Sequence, residues 1–170
     1  MKINRKKLLV IFAILLMLIG SVMVFTTPNK LASRVYLSIL KPHFEAISIY
    51  LSEHQEVSSI YYASPSSVHG TSSSFMLTMD NGEVRYSTGE QVTDDSINKV
   101  ISSYIFSTIQ AGGNNVFFCL NRYSTHFSDT LYGIQYAPLD NPIAFSDAPI
   151  KNEQLQKNWY FFVEQDKILG

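Results

Sequence analysis

Leu8 to Thr27 is a run of 20 residues without a charge. Wound as a helix at roughly 1.5 Å per residue, it reaches about 30 Å, the thickness of a bilayer's hydrocarbon core. Thirteen of its residues are Leu, Ile, Val or Phe. Each of these favours insertion by about 0.3–0.6 kcal/mol near the helix centre. Gly20 and Ser21 dilute the sum without cancelling it. A buried helix of a soluble domain would carry a polar stripe, and this run has none.

A cleaved signal is the rival reading. Its apolar region is about 7–15 residues long and ends in a small-residue cleavage site. Here the flank VFTTPNKLASR puts Lys30 two positions before Ala32, so no small pair is present. The run is therefore read as a retained anchor in membrane lipid, with secretion after cleavage as the alternative. Lys2, Arg5, Lys6 and Lys7 precede it, whereas only Lys30 and Arg34 follow closely. Positive flanks stay cytoplasmic. The expected division is a basic cytoplasmic leader (1–7), an anchor (8–27) and an extracytoplasmic domain (28–170).

That outer part holds nine basic and 14 acidic residues, a net charge of −5. A phosphate-binding surface needs a basic face, so nucleic acid is not an expected partner. Cys119 is the only cysteine. No internal disulfide can form, and the core alone must hold the domain. No N-x-[S/T] sequon occurs. Both features fit a protein of the cell envelope.

Along the outer chain, Tyr36, Leu40, Phe44, Ile47 and Leu51 recur at helical spacing, which predicts a helix over 31–52. Pro42 should kink or restart it, because it lacks the N–H that would bond back to Ser38. This stripe is read as packing on a sheet, with a self-associating stalk as the alternative. VSSIYY (57–62) suits a short strand, and the serine-rich 63–74 suits a loop. SFMLTMDNGEVRYS (74–87) reads as a hairpin whose Asn81-Gly82 turn wants positive φ at both central residues. A second helix is expected over 93–113, capped by Thr93 or Asp94 and stopped by Gly112-Gly113. Strands follow at 115–122 and 129–137; the first is apolar on both faces and so central. A loop is expected from Pro138 to about Gln156, then an aromatic strand over 157–167. The predicted fold is α+β: a single N-terminal transmembrane helix, then two helices packed on an antiparallel sheet of about five strands.

The chemistry-bearing residues form no catalytic, cofactor or metal motif. His43, His54, His69 and His126 lack zinc spacing. YSTHFSD (123–129) gathers Ser124, His126, Ser128 and Asp129, but a Ser/Thr/Asp-rich turn explains the same letters. Cys119 sits between Phe118 and Leu120, a setting that makes a thiol inert. The expected function is a non-catalytic partner- or ligand-binding domain of the cell envelope, acting on another envelope protein. A helix and an antiparallel sheet after an anchor resemble the arrangement of PAS-like sensor domains at the level of architecture. That resemblance implies, as an alternative, a small-molecule sensor acting through another membrane protein. A small envelope hydrolase using YSTHFSD is the further alternative. The oligomeric state is left open.

Overall fold

Apolar residues recur in several strands after Val57, and the computed structural model gathers these strands into one antiparallel sheet. The structure describes residues 10–12, 14, 29–63, 74–103, 105–120, 123–124, 128–144 and 150–167. Among the described residues from 29 onward the elements are, in chain order, α1 (Lys30–Glu53), β1 (Val57–Tyr62), β2 (Phe75–Met79), β3 (Val84–Arg85), α2 (Gln91–Ile101), β4 (Phe106–Gly112), β5 (Asn115–Leu120), β6 (Tyr123–Ser124), β7 (Ser128–Tyr136), β8 (Ile150–Gln156) and β9 (Trp159–Lys167). The strand order is β3-β2-β1-β4-β5-β7-β9-β8, with β6 paired to β7. Every pairing is antiparallel.

Register explains the core. Leu77, Ile60, Ile109, Phe118, Ile134 and Phe161 lie side by side across six strands. All are buried and face the two helices, which cover one side of the sheet. Asn29 caps α1, its Oδ1 accepting from the Ala32 N–H at 2.8 Å. The inward face of α1 brings Leu37, Leu40, Phe44, Ile47 and Leu51 onto the sheet. Phe44 stands with its ring centroid 4.4 Å from Phe118 and 5.3 Å from Phe106. β5 is central and buried at all six residues, as its two apolar faces require.

The expected fold is corrected on two counts. Among the described residues the sheet has eight strands in one continuous order, with the short β6 beside β7, rather than about five. Among the described residues, no helix is long and apolar enough to cross a membrane. α1 spans about 36 Å, but Lys30, Arg34, Lys41, Glu45 and Glu53 make it too polar; α2 has only 11 residues. Of the expected anchor (8–27), only residues 10–12 and 14 are described, as helical and exposed, and the remainder lies outside the described residues.

The extra strands have physical causes. The second helix ends at Ile101, and 106–112 is β4 instead. Its Ile109 has helical spacing from Ile105 but also sits between Ile60 and Phe118 in the sheet, where a β-branched side chain packs well. Gly112-Gly113 is no helix stop. Gly113, at φ 59°, is the first central residue of a two-residue turn between paired Gly112 and Asn115, which suits a type II′ turn. β8 is a polar edge strand, IKNEQLQ, paired on one side only, so it has no apolar alternation to betray it.

Smaller differences follow the same logic. In the β2–β3 hairpin only Gly82 has positive φ, 83°. Met79 accepts from the Gly82 N–H and donates to Glu83 O, both at 2.9 Å, so the loop has three residues and a glycine bulge. Pro42 leaves α1 continuous. Pro42 and Ser38 are both exposed, so the carbonyl that Pro42 orphans can meet water. α2 begins at Gln91 with Glu90 as its N-cap and no side-chain cap bond. Asp94 instead accepts from Ser87 Oγ (2.6 Å), Thr88 N–H (2.8 Å) and Thr88 Oγ1 (2.6 Å), tying the preceding loop to the first turn.

Candidate functional site

α1 has two apolar faces. The inward one builds the core. The outward one comprises Leu31, Val35, Ile39, Pro42, Ala46 and Ile49, at spacings of four, four, three, four and three. Leu31 is 59 %, Ile39 66 % and Ile49 58 % exposed, while Val35 and Ala46 are half-buried. Charged residues border the stripe: Arg34 near its start, Glu45 along its side and Glu53 at its end, all exposed. Lys41 reaches Glu45 (3.8 Å) and Gln156 Oε1 (3.4 Å). Lys30 bridges to Glu153 on β8 at 3.2 Å, pinning the helix start to the sheet edge. A rigid, well-anchored helix thus presents an apolar strip to solvent, which is the chemistry of a docking surface rather than of a reaction centre.

The residues singled out in the sequence are dispersed. His43 Nδ1 lies 3.2 Å from Ser96 Oγ and joins α1 to α2. His54 is the C-cap of α1, stacked on Tyr50 at 4.2 Å with Nδ1 3.0 Å from Tyr50 O. His69 and His126 lie outside the described residues. Within YSTHFSD, Tyr123-Ser124 form β6 and Ser128-Asp129 begin β7; the positions of their side chains and of 125–127 lie outside what is described. Among the described residues no group of His, Cys, Asp and Glu is arranged to hold a metal ion.

Cys119 is fully buried in β5 beside Phe117 and Phe162. Burial pushes its thiol well above the ordinary value, and the Glu164 carboxylate adds to the shift. A thiolate at neutral pH is therefore strongly disfavoured. Among the described residues, Phe44, Phe75, Phe106, Phe118 and Trp159 are buried in the core.

A cleft of about 260 Å³ opens where the end of α1, the start of β1 and two hairpin turns meet. Leu51, Gln55, Val57, Ser58, Asp80, Ala111 and Gly113 line it. It is smaller than the roughly 300–1,000 Å³ of most small-molecule sites.

The segment after β7 is built rather than loose. Asp140, at φ 54°, accepts from the Tyr160 hydroxyl at 2.5 Å and from the Asn158 N–H and Gln154 Nε2 at 3.3 Å. The Tyr160 hydroxyl, followed by the Asn158 N–H, holds its carboxyl below the usual value. The buried Gln135 amide donates to Asn115 Oδ1 (3.2 Å) and Ile143 O (3.1 Å). These bonds lay residues 137–144 over the sheet face that the helices leave open.

Comparison with protein-family models, with curated proteins and with solved structures finds no match. The surface on α1 was not singled out from the sequence. Its only signal is a second apolar series interleaved with the first, and both fit a helix equally well.

Proposed function

We propose that this chain is a non-catalytic protein-binding domain of the cell envelope, attached to membrane lipid through residues 8–27 and displayed on the extracytoplasmic side. The observation that carries partner binding is the exposed apolar stripe on α1. Scattered surface apolar residues need no explanation, but Leu31, Ile39, Pro42 and Ile49, exposed in helical register along one element, do. Membrane attachment and orientation rest on the uncharged run and its basic leader. The sensor alternative leans on the cleft beside Asp80, whose volume suits only a very small ligand.

The test uses full-length protein in its native membranes. Ile39→Asp should abolish recovery of crosslinked partners, while protease added to intact cells should still reach the domain. A set of crosslinked products identical in Ile39→Asp and wild type overturns the partner surface. Protection of the domain in intact cells, with digestion only after lysis, overturns the location.

A further inference from the structure

The turn between β2 and β3 carries a chemically unstable pair. Asn81 is followed by Gly82, and no other asparagine in the chain precedes a glycine. The reaction open to such a pair is internal. The Gly82 backbone nitrogen, once it has lost its proton to hydroxide, attacks the Asn81 side-chain carbonyl carbon. A new N–C bond forms, the bond to the side-chain nitrogen breaks, and that nitrogen takes a proton from water and leaves as ammonia. The product is a succinimide ring. Water then opens the ring at either carbonyl, giving aspartate or isoaspartate.

The fold around the pair favours this reaction. Asn81, Gly82 and Glu83 are all exposed, so hydroxide and water reach them. Gly82 puts no side chain in the path of attack, and even an added Cβ there would meet nothing within 4 Å. Asn81 Oδ1 accepts from the Glu83 N–H at 2.8 Å. The ring closed by that bond contains both the Asn81 side-chain carbon and the Gly82 nitrogen, so the side chain is folded back along the turn. The same bond draws electron density from the carbonyl that is attacked. One contact opposes the reaction: the Gly82 N–H donates to Met79 O at 2.9 Å. A single exposed turn bond slows the step by only about threefold to tenfold. By contrast, Asn115 is buried and precedes Val116, and Asn158 precedes the bulky Trp159.

We propose that Asn81 is a site of spontaneous succinimide formation, and that its isoaspartyl product frees β3 from the sheet edge. Opening to aspartate keeps a side-chain oxygen for the Glu83 N–H and leaves the turn intact. Opening to isoaspartate routes the main chain through the former side chain and lengthens it by one methylene. The loop then no longer sets Thr78 against Val84 and Leu77 against Arg85. β3 is only Val84–Arg85 and lies at the end of the strand order, next to β2, so its register depends on that loop. Either product adds a negative charge between Asp80 and Glu83, both exposed acids.

The experiment ages full-length protein in detergent, folded or in denaturant, in mildly acidic and mildly alkaline buffer. Cleavage after Glu56 and Glu83 releases residues 57–83, which contain no other asparagine and no glutamine. The mass gain of replacing NH2 by OH in that peptide therefore reports Asn81 alone. Folded protein should convert within about tenfold of the denatured rate. Conversion should quicken about tenfold for each pH unit, as the deprotonated fraction of the Gly82 nitrogen grows. Asn81→Gln should stay unchanged over the same period. Fragmentation of the peptide should show isoaspartate as well as aspartate. Amide contacts between Thr78 and Val84 should be lost from the isoaspartyl fraction and kept in Asn81→Asp. Asn81 left intact in folded protein while the denatured chain converts overturns the site. An isoaspartyl fraction whose β2–β3 contacts match those of Asn81→Asp overturns the release of β3.

Discussion

The two faces of the sheet are closed in different ways. On one, side chains from six strands meet α1 and α2 in a single large apolar cluster. On the other, a small group of Phe117, Cys119 and Phe162, with Leu131 against it, shares the surface with buried Gln135 and Asn115. There the described cover is backbone and hydrogen bonds: Ile143 O over Gln135, and Asp140 clasping Tyr160. Non-directional burial tolerates small shifts, whereas a polar cover needs each donor and acceptor in place. The helix side should therefore carry the bulk of the stability, and the strapped side should be the more sensitive to geometry and to pH.

The largest effect is expected from Phe44→Ala. Phe44 is fully buried and touches Phe106, Phe118 and Trp159. Its truncation should cost about 3–5 kcal/mol. Denaturant titration of the full-length protein in detergent, followed through the single buried Trp159, measures it. A loss below 1 kcal/mol would mean that α1 is not what holds the sheet.

Gly133→Ala sharpens the contrast from the strapped side. Gly133 lies between Cys119 and Phe162 in the sheet, and a Cβ there would strike the Phe118 carbonyl oxygen and, at 3.0 Å, the Phe162 ring. The first obstacle is backbone and cannot rotate away. Adding one methyl should cost about 3 kcal/mol, the upper part of the range for overpacking. The same titration reads it, and a neutral outcome would show that β5 and β7 can separate freely.

pH distinguishes the faces next. The Asp140 carboxyl is held below its ordinary value by Tyr160 and Asn158. The clasp is thus fully stabilising above the ordinary carboxylate pKa and is lost as pH falls through the lower, folded value. Acidification below about pH 4 should loosen residues 137–144 before the helix-covered core melts. The ring resonances of Tyr160 should shift in that range in the wild type and show no such step in Asp140→Asn. A step that persists in the variant would place its origin elsewhere.

The smallest effect on the fold belongs to the outward face of α1. Ile39→Ser should change unfolding free energy by no more than about 0.5 kcal/mol, as for other exposed positions, while lowering the recovery of crosslinked partners. A marked loss of stability would show that the outward stripe is already part of the core.

Some of this was legible in advance and some was not. The strand over Val57–Tyr62, the central place of β5 and the helix from residue 30 to 53 follow from local apolar periods. The burial of Cys119 in the core followed from its neighbours in the chain. β4 did not, because Ile105 and Ile109 satisfy a helical period as well as a strand. β8 did not, because an edge strand needs no alternation. The outward stripe of α1 was hidden by the inward one, since a helix with apolar residues at 35, 39 and 46 and also at 36, 40 and 47 does not announce which series turns inside.

The amino-acid order by itself showed the first helix, the strand over Val57–Tyr62, the central strand β5, the uncharged N-terminal run with the basic residues before it, and the acidic balance of the residues after it. These depend on composition and short-range spacing, which act through neighbours a few residues apart. Tertiary structure alone decided that 106–112 joins the sheet, that one face of α1 is left to solvent, and that Asp140 meets Tyr160 across 20 residues. Those outcomes depend on which surfaces meet in space, and a local period cannot encode its partner.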